Sequence, residues 1–283
     1  MSFHVAAFMP SAVLTGIPSE QDVAAVTDTY LPLSGTRLYL EREFRVLAAL
    51  SACGVEGGGL SPSVTRARIF TPSLAPLLAG LIRPLSATGN GAGSMAIPND
   101  PLSLMTLLHS PLRVGPEELG IRAVVPVTQT SVDRAVGLVW LTDKPDFSIP
   151  ASAGGGLGAF WVRFTTGVAG ATAFNVWQSG ALALDQSLPG GQYAVIGMDF
   201  NGAGGSSGQS NAIAARLIFN TQTMRPGVVA QNGFSYRNHS IFYNGALGVW
   251  GVFSNTSPPG IEVLCASATA TTAEGYLQLI KIG

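Results

Sequence analysis

Read along its hydrophobic and polar positions, the chain breaks into short apolar runs rather than long amphipathic ones. Phe160-Trp-Val-Arg-Phe-Thr and residues 192–200, 215–219, 247–253 and 276–282 are rich in Val, Ile, aromatic and Thr residues. Clusters of Gly, Pro, Asn and Ser bound them. Such runs predict strands, because branched and aromatic side chains pack well on a pleated surface while the flanking residues favour reversals. Each half carries seven or eight of them, at the spacing of sandwiches and barrels. Two stretches predict short helices instead. Residues 19–27 open with Ser19 as a cap and Glu20 and Asp22 in the first turn. Residues 72–81 form the second, kept short by Pro72 and Pro76.

An internal repeat orders these runs. Phe44-Arg-Val-Leu-Ala-Ala-Leu enters a Gly-rich loop at 54–59, and the chain leaves it through Thr65-Arg-Ala-Arg-Ile-Phe70. Tyr193-Ala-Val-Ile-Gly-Met enters a second such loop at 202–208, left through Ala214-Ala-Arg-Leu-Ile-Phe219. The offset is 149 residues both from Phe44 to Tyr193 and from Phe70 to Phe219. Ser34-Gly35 pairs with Ser179-Gly180, residues 121–127 with 261–266, and Gly137-Leu-Val-Trp-Leu with Gly275-Tyr-Leu-Gln-Leu. Phe3-His-Val and Phe160-Trp-Val stand as matching first strands. The shared order indicates a duplicated architecture. A Pro then Gly/Ser stretch at 145–158 has linker composition and separates residues 1–144 from 159–283. The expected fold is all-β: two tandem eight-stranded jelly-roll sandwiches with short helices in loops.

Composition adds a hint about the surface. Only 11% of residues are charged, against about 25% in an ordinary soluble domain, while 47% are hydrophobic. Of the 283 residues, 35 are Gly and 18 are Pro. Few charges with many tight turns suit an oligomer or lattice subunit better than a free monomer. A net charge of −1 without a Lys/Arg run argues against a nucleic-acid binder, which must neutralise phosphates. The best apolar run, 74–82, is too short to span a membrane as a helix, and Arg83-Pro84 ends it. The start, Met-Ser-Phe-His-Val, has no basic region before an apolar core and does not read as a secretory signal. Cys53 and Cys265 are isolated, giving neither a disulfide framework nor zinc spacing.

The search for chemistry yields no catalytic residue, no cofactor site and no metal site. Gly204-Gly-Ser206-Ser-Gly208 has the spacing of a hydrolase nucleophile, but that mechanism needs a strand-to-helix turn and an ordered acid and histidine. Here the motif lies in a loop between two strands, and His239 has nothing to mark it as a base. Asp199-Phe-Asn201-Gly202 places oxygen ligands at alternate positions without calcium-loop spacing, so a turn is preferred. Glu117 and Glu118 would point to opposite faces of a strand and form a solvated turn after Gly115-Pro116. His4, His109 and His239 are scattered. Arg225-Pro226-Gly227 is a turn signal, and Asn238-His-Ser240 and Asn255-Thr-Ser257 match glycosylation acceptors without a secretory context. Trp140, Trp161, Trp177 and Trp250 lie in β runs and read as core or subunit interface rather than as a sugar-stacking platform.

These halves carry a resemblance. Leu188-Pro-Gly-Gly-Gln-Tyr-Ala-Val-Ile-Gly-Met, Ala-Ala-Arg-Leu-Ile-Phe, Met-Arg-Pro-Gly, Gly-Val-Trp-Gly-Val-Phe and Ile-Glu-Val-Leu-Cys follow one another in the second half. In that order the chain resembles the double jelly-roll major capsid proteins of tailless, often membrane-containing icosahedral viruses, in their bacterial-virus branch. The resemblance implies a homotrimer, a pseudo-hexagonal tile of six jelly rolls, in a virion shell made in the host cytoplasm. It also implies other virion proteins such as a vertex protein as partners, over an internal lipid membrane. Phe3 opens a strand-like run where some members carry a basic amphipathic helix, which puts direct membrane contact by this chain in doubt. A tandem jelly-roll carbohydrate-binding or receptor-binding spike protein is the alternative reading. It would expose Trp161, Trp177 or Trp250 beside polar loops.

Overall fold

The computed structural model describes residues 3–9, 15, 17–54, 66–73, 88–90, 94–96, 112–125, 134–143, 159–168, 176–203, 212–220, 227–229, 249–265 and 271–283. Among them the chain is all-β and antiparallel, with no helix. It divides into two compact units, Ala6–Asp143 and Met1–Val5 with Lys144–Gly283.

Strand β1 (Phe3–Phe8) is divided after Val5 between the units, and the N-terminal unit continues with β2 (Ile17–Val23), β3 (Leu33–Ser34), β4 (Arg37–Tyr39), β5 (Phe44–Gly54) and β6 (Arg66–Phe70). There follow β7 (Thr88–Asn90), β8 (Ser94–Ala96), β9 (Leu112–Val114), β10 (Glu118–Val125) and β11 (Arg134–Thr142). One sheet runs β1-β11-β5-β9, the other β2-β10-β4-β3 with β6 also on β10. Strand β10 shows why these sequences lie where they do. Leu119, Ile121 and Ala123 are buried, whereas Glu118 and Arg122, one residue out of phase, face away from that core. Opposite them, Leu38 and Val23 extend the apolar face. The facing sheet supplies Phe44, Val46, Val139 and Leu141. A side chain at Gly137 would collide with Ile121 Cδ1, so the missing Cβ is what admits this isoleucine.

Among the described residues the C-terminal unit has eight strands: β12 (Ala159–Val168), β13 (Trp177–Leu184), β14 (Gln192–Ala203), β15 (Ala212–Ile218), β16 (Gly227–Val229), β17 (Gly251–Ser254), β18 (Gly260–Cys265) and β19 (Thr271–Lys281). Their pairing is continuous, β16-β15-β18-β13-β12-β19-β14-β17. Val162, Phe164, Leu277, Leu279, Met198 and Phe200 fill one side of the core and Ala215, Leu217, Ile261 and Val263 the other. Phe164 stacks with Phe200 at 6.4 Å and Tyr193 with Phe253 at 5.8 Å.

The repeat is visible in the ladders. On β5 the pairing with β11 skips Leu47, and on β14 the pairing with β19 skips Ile196. These two bulges lie 149 residues apart, the offset read from the sequence. Gly137 opposite Ser51 corresponds to Gly275 opposite Phe200, as matched by sequence. At β6 and β15 the offset is corrected to 148. Arg68 opposes Arg122 as Arg216 opposes Glu262, and the flanking rungs Ile69–Ile121 and Leu217–Ile261 coincide.

Two other expectations fail. Residues 17–23 form β2, not the helix placed at 19–27: Val23 pairs with Ile121 and Asp22 with Arg122, so the ladder outweighs the local capping signals. Ser34-Gly35 is not the counterpart of Ser179-Gly180. It turns the β3–β4 hairpin with Gly35 at φ +62°, whereas Ser179 and Gly180 lie inside β13. Of the second expected helix, Pro72 and Ser73 lie in a turn, and the rest is outside the described residues, as is the linker at 145–158.

Candidate interaction surface

Three features stand on the outer faces of these sheets, away from their cores. The first is on β15 and β18. Arg216 and Glu262 oppose each other directly, with Nε donating to Oε2 at 2.6 Å. Arg216 is 1% exposed, its guanidinium lies 4.1 Å over the Trp177 ring, and Nη1 donates to the Val5 carbonyl at 3.4 Å. Ala214 and Leu264 beside it are buried too. Apolar residues thus occupy both faces of these two strands, and the charge is held by a partner and a ring rather than by water.

The second feature occupies the corresponding face of the N-terminal unit. Asp22 accepts from Arg122 Nε and Arg37 Nη2, both at 2.8 Å. Glu118 accepts from Arg37 Nη1 at 3.0 Å and Ser34 Oγ at 2.6 Å. Both guanidiniums stack on Phe70, Arg37 at 4.2 Å and Arg122 at 3.7 Å from the ring centre. Burial pushes the Asp22 carboxyl up, but the hydrogen bonds and charges of Arg122 and Arg37 outweigh it and hold the group below its ordinary value. Glu118 is also lowered, by Ser34 first and then Arg37. These four charged side chains remain partly open to water, and Tyr39, the ladder partner of Glu118, is exposed.

The third is the outer face of β12 and β19. Trp161 opposes Gln278 and Arg163 opposes Tyr276, so Trp161 and Tyr276 are diagonal neighbours on one face. They are 43% and 44% exposed. Arg163 bonds Glu274 at 2.5 Å and lies 3.7 Å from Asp185, and the hydrogen bond to Glu274 raises its pKa. Toward β14 the face is sealed by a small cluster of Ala194, Ile196, Val249 and Ile280.

The sequence candidates fall mostly elsewhere. Ser206, His109, His239 and Asn238–Ser240 lie outside the described residues. Asp199-Phe-Asn201-Gly202 is not the expected turn: all four residues are rungs of β14, opposite β19, where cross-strand pairing keeps the backbone extended. Glu117 and Glu118 diverge. Glu117 accepts from the Ser73 amide and hydroxyl, Glu118 from Ser34 and Arg37. Gly227 begins β16. Asn255 Oδ1 accepts from the Gly191 amide at 3.1 Å, a structural role in the turn after β17. His4 is buried in β1. Trp140, Trp177 and Trp250 are buried, and Trp161 alone of the four is open. Among the described residues no group of three or more His, Cys, Asp or Glu could hold a metal.

Sequence reading missed the Arg216–Glu262 pair, although a signal was present. A single charge in Ala-Ala-Arg-Leu-Ile-Phe and another in Ile-Glu-Val-Leu, each inside an otherwise apolar strand, ask for a partner. No family model, curated protein or solved structure matches the chain.

Proposed function

We propose that the chain is the major capsid protein of an icosahedral virion, self-associating as trimers of double jelly rolls. One observation carries this reading, the order of strands in both units. In the C-terminal unit the first strand lies beside the last, then the third, then the sixth, while the second lies beside the seventh, then the fourth, then the fifth. That order supports a jelly-roll reading, a fold whose two Greek keys recur in viral capsid and lectin domains. The N-terminal unit shares part of that order, in β1-β11-β5-β9 and in the pairing of β10 with β2 and β6, while β4 and β3 also join the β10 sheet. Two such units in tandem, with few charges and exposed aromatic residues in mid-sheet, suit a subunit whose working surface is its interface. The step from this strand order to a capsid is an analogy of fold. Light scattering behind a sizing column tests it. A particle of three times 29.2 kDa, or a much larger shell seen by microscopy, is expected. A species of 29.2 kDa at every concentration rejects it.

The open Trp161 favours a second reading, a carbohydrate-binding or spike protein, in which this ring stacks on a sugar. A glycan array probed with wild type and Trp161→Ala separates the two, since only this reading expects hits that the substitution abolishes.

A further inference from the structure

We infer that a cleft beside β17, within the C-terminal unit, binds a neutral six-membered ring bearing hydroxyl groups, the chemistry of a monosaccharide. This goes beyond the capsid reading and does not depend on it. The cleft encloses about 200 Å³. A cavity of roughly 150 Å³ already admits benzene, so the volume suits one substituted ring. Its shape follows from the chain around it. Strand β15 ends at Ile218 and β17 at Ser254, where the Ser257 amide turns back to donate to the Ser254 carbonyl at 2.9 Å. Pro258 and Pro259 come next and have no amide to extend a ladder, so β18 starts only at Gly260 and a gap is left. The missing Cβ of Gly251 lets the Phe219 ring lie against β17, since a Cβ there would stand 2.6 Å from it. Buried Phe219, Phe253 and Pro259 make an apolar floor, with Val252 at the mouth. Gln192, Asn220, Ser254 and Ser257 make a polar rim.

The lining selects the ligand. None of its residues is charged, so a phosphate, a carboxylate or an amine meets no counter-ion there. Amides and hydroxyls set donors and acceptors side by side, which suits hydroxyl groups that need both. Asn220 Nδ2 reaches Ser257 Oγ at only 3.4 Å, a weak bond that a ligand hydroxyl can replace, while Ser254 Oγ is set in place by Thr256 Oγ1 at 3.1 Å. The apolar floor then takes the C–H face of the ring. The strand edge beside the cleft argues against a peptide. The Asn255 amide donates to the Gly191 carbonyl, so residues 251 and 253 turn their amides and carbonyls toward β14, and Val252 and Ser254 turn theirs away. On that side β17 ends the ladder of the described strands. The Ser254 carbonyl is taken by Ser257, which leaves Val252 as the one full rung, too little to hold an added strand. A single small ligand needs no more than that.

Saturation-transfer NMR titrations of the full chain test this, with glucose, galactose and mannose, their methyl glycosides, tetrahydropyran and N-acetylprolinamide as probes. Saturable binding of at least one sugar is expected, and none of the last two probes. Binding of the methyl glycosides assigns a chain-terminal sugar and binding of the free hexoses alone a free one, and either supports the site. Asn220→Ala with Gln192→Ala, both exposed side chains, is expected to weaken binding about tenfold, the worth of one or two hydrogen bonds, with the β circular dichroism unchanged. Trp161→Ala is expected to bind as the wild type does. No saturable sugar binding by the wild type overturns the proposal. Binding that survives the double substitution and is lost in Trp161→Ala also overturns it, and favours the sugar-stacking reading of that ring instead. Binding of tetrahydropyran or N-acetylprolinamide as strong as that of the sugars overturns it too, since the cleft then takes an apolar ring. Light scattering of the same samples reads the capsid proposal separately, so the two fail independently.

Discussion

Arg216 and Glu262 face each other across β15 and β18, bonded at 2.6 Å and almost wholly withdrawn from water. Such a pair contributes less through its own attraction than through the cost of breaking it. Its Coulomb gain is offset by desolvation, whereas one partner left alone is an uncompensated buried charge. Glu262→Ala is therefore expected to cost about 3–5 kcal/mol in urea unfolding. The joint replacement Arg216→Met with Glu262→Leu should cost far less than that single change. A double-mutant cycle in which the two changes simply add would contradict this account.

Gly137 and Ile121 set the approach of the two sheets in the N-terminal unit. A Cβ at 137 would overlap Ile121 Cδ1, while Cγ1 and Cγ2 stand farther off at 3.3 and 3.5 Å. Ile121 is buried and cannot swing into solvent. Gly137→Ala is expected to destabilise by roughly 1–3 kcal/mol, the usual cost of overpacking. Adding Ile121→Val deletes the colliding methyl and should recover part of the loss. Thermal melts of the single and paired variants check this, and equal losses in both would show that the backbone, not the methyl, is limiting.

Acid should weaken the face around Asp22. Its pKa is held below the ordinary 3.8, and those of Glu117 and Glu118 below 4.5. A folded-state pKa below the unfolded value stabilises at higher pH. The contribution is complete above the unfolded value, shrinks as pH falls past about 4.5 for the glutamates and 3.8 for Asp22, and vanishes below the folded values. Since these groups are partly exposed, the Asp22 pairs are worth about 1 kcal/mol at most. Asp22→Asn should lower stability near neutrality slightly and flatten the dependence between pH 3 and 5, measured by urea midpoints.

Much of this architecture was legible because the repeat constrained it. The Gly137 and Gly275 match holds rung for rung, and the Leu47 and Ile196 bulges keep the sequence offset. The failures have a common physical origin. Ser19, Glu20 and Asp22 are sound helix-start residues taken locally, but Asp22 is drawn by Arg122 and Arg37 from strands far along the chain. The slip between β6 and β15 arises because Phe70 and Phe219 look alike in sequence yet serve different faces. Phe70 carries the arginines on the outer side, while Phe219 fills the space left by Gly251 toward the core. The Arg216–Glu262 pair depended on cross-strand register, which single-strand periodicity does not supply.

Exposure separates Trp161 from Trp140, Trp177 and Trp250, and this gives an optical reading of association through the β12–β19 face. Iodide quenches indoles it can touch, so in dissociated chains one tryptophan of four should account for nearly all of the quenching. Trp161→Phe should remove that component and leave the protected remainder unchanged. On assembly the Trp161 ring passes from water to a packed contact, so quenching of the wild type should fall to the level of the Trp161→Phe variant. The emission maximum should move to shorter wavelength at the same protein concentration at which light scattering reports association. Assembly that leaves Trp161 as quenchable as in the single chain would place the contact on another face and remove the β12–β19 surface from the interface.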